Sequence, residues 1–191
     1  MPRDDREASI LSYLQSTLSP ERLIHSMHTA ALCRELAHRF GLDPQKGYWI
    51  GLLHDAAREL PPDELVKRTL SMGIQPDPVE RENPVLLHGL VSAEIARFRF
   101  GIEEDELLEA IRHHTLGKPG LGPYGKVLYV ADYIEPSRTF VDEAFRSRVL
   151  SLPLDEMLLE ILEAERKHRK NLAPITQEMY DELKGGILER A

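Results

Sequence analysis

The sequence predicts an all-α fold, and three observations carry that prediction. Apolar residues recur at three- and four-residue spacing in almost every segment. Segment boundaries carry helix punctuation, with Ser, Asp or Asn before a proline at the start and glycine at the end. Strands, which need sustained alternation of apolar and polar residues, are hard to find. With 191 residues, 42% hydrophobic and 29% charged, the chain has the size and composition of one globular domain. Residues 1–191 are expected to form that domain, with a core over about 19–138 and packing helices over about 140–191.

The clearest helix runs from Ser19, an N-cap followed by Pro20, through Leu23, Ile24, Met27, Ala31 and Leu36 to a stop at Gly41. Asp43-Pro44 opens a second, whose apolar residues Trp49, Ile50, Leu52 and Leu53 lead into His54-Asp55. A short amphipathic stretch follows Pro61-Pro62-Asp63 and ends at Gly73. The next segment, Ile74 to Asn83, holds two prolines and reads as a loop. Asn83-Pro84 starts a helix to Phe98, broken by Gly101, and the acidic run Glu103-Glu104-Asp105 starts another that reaches His113-His114. Thr115 to Gly125 carries four glycines and two prolines, a loop suited to close backbone approach to a ligand. Lys126 to Ile134 is an apolar helix around Asp132, where a buried carboxylate needs a partner. Pro153 and Pro174 each open an amphipathic segment, read as packing structure.

A net charge of −8 argues against broad attraction to nucleic acid or an anionic membrane. One cysteine, Cys33, rules out an intrachain disulfide framework; flanked by Ala and Leu, it reads as a buried structural thiol. No apolar run approaches the roughly 18 residues of a membrane span. The expected compartment is the cytoplasm. Neither a glycine-rich phosphate loop nor a Cys-based zinc pattern is present.

Chemistry enters with His54-Asp55 at the end of an apolar run. Alone, such a pair is weak, because a histidine at a helix C-terminus can simply satisfy the last carbonyls. The pair gains meaning from its company: His25, His88, His114 and Asp132 each lie in or beside an apolar helical stretch. Imidazole and carboxylate ligate divalent iron, manganese or zinc, and facing helices can converge them on a core site. His113 and His114 point about 100° apart on a helix, so both cannot easily face one metal. Spacing does not choose between them.

The order His25, His54-Asp55, His88, His114, Asp132 resembles the HD-domain phosphohydrolases, an all-helical bundle family. The flanks His25-Ser26, Leu52-Leu53-His54-Asp55, Leu87-His88-Gly89, His114-Thr115-Leu116-Gly117 and Ala131-Asp132-Tyr133-Ile134-Glu135-Pro136-Ser137-Arg138 are similar to its YqeK branch, the symmetrical diadenosine tetraphosphate hydrolases. Leu116 departs from the small polar residue of that pattern. The resemblance selects His114 over His113. It implies that His25, His54, Asp55 and Asp132 hold one metal, with Asp55 bridging to a second held by His88 and His114. Iron is the expected metal, with manganese or zinc accepted by the same ligands. Two close cations acidify a bridging water, aim hydroxide at phosphorus and offset phosphoryl charge. Attack at a central phosphorus of a tetraphosphate yields two ADP.

Arg58, one turn after the dyad, and Arg138 are expected to assist catalysis by meeting the polyphosphate, joined in substrate binding by Thr115, Gly117, Lys118 and Lys126. Structural roles compete: Arg58 with Glu59 or Glu64, Arg138 with Glu135, and the lysines with solvent. The expected partner is a small nucleotide, with no nucleic acid or membrane; a homodimer is compatible with the sequence. Two other functions fit the ligand set: a phosphohydrolase of another nucleotide, and a non-catalytic metal-bound nucleotide sensor. The intact ligand set argues against the sensor.

Overall fold

The computed structural model describes residues 3–169 and 172–190. Helices α1 (Arg3–Thr17), α2 (Pro20–Arg39), α3 (Pro44–Leu53), α4 (Pro62–Ser71) and α5 (Pro78–Glu82) lead to a 3-10 turn at Pro84–Leu87. Then come α6 (His88–Phe100), α7 (Asp105–Arg112), α8 (Pro123–Ile134), α9 (Glu143–Ser151), α10 (Leu154–Arg169) and α11 (Pro174–Leu188). No strand occurs among the described residues, as the periodicity predicts. No helix among them is long and apolar enough to cross a membrane.

The caps explain most boundaries. The Ser19 hydroxyl accepts the Arg22 N–H at the start of α2, and the Asp43 carboxylate accepts from Gln45 and Lys46 at the start of α3. Gly101 closes α6 in the left-handed conformation, φ 64°. Three boundaries differ from expectation. Within the expected loop at Ile74 to Asn83, Asp77 and Glu80 form a capping box that starts α5. The helix expected from Asn83-Pro84 is instead a 3-10 turn, and α6 begins at His88. Helix α8 starts at Pro123, whose missing N–H costs nothing in a first turn, rather than at Lys126. Helices α1 and α9 were not anticipated; α1 buries Ile10 and Leu14, and Leu18 just beyond its end continues the spacing of four beneath a polar sequence.

One hydrophobic core runs from Ile10 of α1 to Leu183 of α11. Helix α8 is central to it, packing on α2, α3, α7 and α10, with Val127, Leu128, Val130 and Ala131 fully buried. Helix α3 lies on α2 through small residues. A Cβ placed on Gly51 would fall 2.4 Å from the Cα of Ala30, and one on Gly47 would fall 2.7 Å from the Cys33 carbonyl oxygen. Gly47 and Gly51, one turn apart, therefore let two backbones meet where any side chain would hold them apart.

Gly51→Ala is expected to destabilise the protein by about 1–3 kcal/mol through overpacking, read as a lower urea midpoint. Gly122→Ala is the control: its backbone is extended, at φ −67°, and nothing lies within 4 Å of the added carbon. Equal midpoints for the two variants would show that α2 and α3 have room to spare.

Candidate metal centre

The fold brings His25, His54, Asp55, His88, His114 and Asp132 into one cluster. His25 comes from the middle of α2, and His54 and Asp55 leave the C-terminus of α3. His88 is the first residue of α6, His114 follows α7, and Asp132 sits on α8. The four histidines and Asp55 are buried. Asp132 is more open than expected, with 22% of its side chain exposed.

Hydrogen bonds at the back of each ring set its tautomer. The Nδ1 of His54 faces the Gly51 carbonyl at 2.7 Å, that of His114 faces Ile111 at 2.8 Å, and that of His88 faces Val85. A carbonyl only accepts, so each Nδ1 carries the proton and each Nε2 presents a lone pair. These lone pairs converge: the His88 and His114 Nε2 atoms are 3.0 Å apart, and those of His25 and His54 are 3.1 Å apart. The Asp55 carboxylate divides between the pairs. Its Oδ1 lies 3.1 Å from His88 and 3.7 Å from His114, and its Oδ2 lies 3.7 Å from His25 and 3.6 Å from His54. Asp132 Oδ1 adds a contact of 3.1 Å to His25. Electron pairs gathered this closely in a buried space fit a divalent cation, and the imidazole and carboxylate set suits a first-row metal.

The same crowding shifts proton affinities. Burial pushes the His54 imidazole down to about 4, against the opposing charges of Asp55 and Asp132, and burial also lowers His88. For His25, burial lowers the pKa but the Asp132 and Glu135 carboxylates outweigh it and the net shift is upward; Asp55 does the same for His114. Burial opposes ionisation of Asp55, yet His54, His114 and His88 hold it well below the usual carboxylate range.

Two residues around this cluster escaped the sequence reading. Glu135, fully buried, holds the back of the His25 ring, Oε1 to Nδ1 at 3.0 Å, and is itself held by the Ser137 N–H at 2.6 Å. A carboxylate behind a ligating imidazole fixes its orientation and raises its basicity. Arg22 donates to Asp55 Oδ2 at 2.8 Å. Its signal was its place one turn before His25, on the same helical face.

The expected substrate-binding residues separate. Arg138 lies at the centre, donating to the Asp132 carboxylate and, through Nε, to its backbone oxygen at 2.9 Å. Thr115 lines a 440 Å³ cavity that opens beside His114 and Asp132. Lys118 and Lys126 lie elsewhere, paired with Glu109 at 3.1 Å and Asp155 at 2.6 Å. Gly117 packs on Met179 of α11, with φ 67°, a backbone conformation that favours glycine. Arg58 is half-buried in the turn after Asp55 and lines neither this cavity nor the 370 Å³ polar one around Arg22 and Arg138. Its expected structural partners are engaged elsewhere, Glu59 by Ser19 and Glu64 by Arg68. His113 faces away, into a groove with Arg112 and Glu109. Helix α10, read from the sequence as packing, supplies Glu165 and His168 to the cavity wall.

Comparison with known proteins agrees with this geometry. Residues 22–137 match the HD domain family. The symmetrical bis(5'-nucleosyl)-tetraphosphatase of Bacillus subtilis (strain 168) is 38% identical over 135 residues, covering 70% of this chain and 72% of that protein. The enzyme of the same name from Staphylococcus aureus (strain NCTC 8325 / PS 47) is 32% identical over 151 residues, 75% of each chain. The crystal structure of a predicted HD superfamily hydrolase involved in NAD metabolism from Clostridium acetobutylicum matches with a TM-score of 0.86 at 28% identity, over 97% of this chain and 98% of that one. The chain thus belongs to the HD-domain family, and within it groups with relatives named as symmetrical bis(5'-nucleosyl)-tetraphosphatases.

Proposed function

We propose that this protein hydrolyses dinucleoside tetraphosphates symmetrically, converting diadenosine tetraphosphate to two ADP. The observation that carries the reading is the division of Asp55 between two histidine pairs, a donor arrangement for two neighbouring cations. His25, His54, Asp55 and Asp132 would hold one, and Asp55, His88 and His114 the other. Iron is the metal we favour, and the ligand types also suit manganese and zinc. The tetraphosphatase names of the relatives supply the substrate. One free, buried cysteine fits a cytoplasmic setting.

Bound divalent cations supply acidification of water and Lewis-acid polarisation of phosphoryl oxygens. The chain's own groups do the rest. The carbonyls behind His54, His88 and His114 hold each ring with its lone pair forward, so no tautomer change precedes reaction. Arg22 and Arg138 bring two guanidiniums against the ligand carboxylates Asp55 and Asp132. There they can receive phosphate oxygens as bidentate donors and offset charge on the leaving diphosphate.

Purified protein given diadenosine tetraphosphate should yield ADP alone on nucleotide chromatography; ATP plus AMP would exclude symmetrical cleavage. His54→Ala and Asp55→Ala should each lower turnover by more than about a hundredfold, with helical circular dichroism retained. Glu135→Gln should cost about 10–100-fold in metal affinity or activity. Full turnover in the first two variants would refute their role. Metal content should also depend on pH. The raised pKa of His25 and His114 keeps their protons to higher pH than the ordinary imidazole value of about 6.5, and a ligand must be neutral to bind metal. Occupancy measured by elemental analysis after dialysis should therefore fall as the pH is lowered. Constant occupancy down to about pH 5 would contradict proton competition at these rings.

A further inference from the structure

The 440 Å³ cavity beside the centre has an outer wall that the metal chemistry leaves unused. It is lined by His114 and Asp132 of the cluster and also by Tyr133 and Phe140. Phe140 is 64% exposed, and Tyr133 meets it edge-on with ring centroids 5.4 Å apart and planes at 83°. Single exposed aromatics are ordinary. Phe98, 80% exposed, is one: the groove it lines reaches none of the clustered histidines and carboxylates. Phe140 differs because one arginine connects it to the centre. The Arg138 guanidinium touches the Asp132 carboxylate and lies 5.8 Å from the Phe140 ring centroid. In a tetraphosphate cleaved at a central phosphorus, an α-phosphate and a ribose lie between the centre and the base, and Arg138 lies between Asp132 and Phe140 on that same path.

Glu165 is buried, accepts the Tyr129 hydroxyl at 2.7 Å and lines the cavity with it. Phe140 and Glu165 lie beyond residues 22–137, the segment that matches the HD domain. The chemistry thus resides in the matched segment, while this wall is added by α10 and the loop before α9.

We propose that Phe140 is a stacking platform for one nucleobase of the substrate, and that the cavity it edges is a nucleoside subsite. The proposal rests on the dinucleotide reading above. Because every base has a π-face, the platform selects nucleotides over bare polyphosphate and does not choose between adenine and guanine.

The test is titration calorimetry of metal-loaded protein with ADP, GDP and, as a base-free probe, inorganic tripolyphosphate. Phe140→Ala should weaken ADP and GDP alike, by about tenfold or more, and leave tripolyphosphate within about twofold. Phe140→Trp should retain nucleotide affinity. Undiminished ADP affinity in Phe140→Ala, an equal loss for tripolyphosphate, or no ADP binding to the parent protein would each overturn the subsite. Nucleotide binding that depends on Phe140, in a protein that leaves diadenosine tetraphosphate intact, would uphold the subsite and reject the proposed reaction. Cleavage with kcat and KM indifferent to Phe140→Ala would do the reverse.

Discussion

The close approach of helix backbones at glycine is the constraint on which the centre depends. Gly51 rests on the backbone of Ala30, and this contact carries α3 deep enough onto α2 for His54 to reach within 3.1 Å of His25. The second pair repeats the device. A Cβ on Gly89 would meet the Arg112 carbonyl oxygen at 2.7 Å, so the start of α6 lies directly against the end of α7, where His88 and His114 face each other at 3.0 Å. Each histidine pair therefore has its own glycine contact. In a densely packed interior even a methyl group shifts helices by a fraction of an ångström, and metal ligands tolerate little more.

Hydrogen bonding then orients what packing assembles. Three histidines use the carbonyl three residues earlier in the chain, and the fourth uses Glu135. The lone pairs consequently have no freedom to turn from one another, and their mutual repulsion remains until positive charge is supplied. Arg22 and Arg138 supply part of it from the rim, each on one of the two carboxylates. The cluster thus concentrates carboxylates and lone pairs, with Arg22 and Arg138 set against them at the rim. This accommodates the acidic net charge of −8, since the attraction is local.

The C-terminal helices extend the site as well as the core. Helix α10 packs on α8, the helix that carries Asp132, and in doing so brings Glu165 and His168 to the cavity. Thr176 on α11 donates to the Leu116 carbonyl at 2.7 Å and anchors the loop after His114.

The sequence by itself determined the helical class and most boundaries and named the six residues that the fold clusters, because periodicity, caps and the flanks of His54-Asp55 and Asp132 are local signals. It also put Arg138 and Thr115 forward as substrate contacts, and both lie beside that cluster. It did not distinguish them from Lys118 and Lys126, whose carboxylate partners Glu109 and Asp155 come from α7 and α10. Nor did it reveal Arg22 against Asp55 and Glu135 against His25, or Phe140 and Glu165 at one cavity. Those relations join residues far apart in the chain, and only the packing of α2, α8 and α10 decides them. Local pattern fixes which face of a helix is buried; the neighbour that face meets is a property of the tertiary structure.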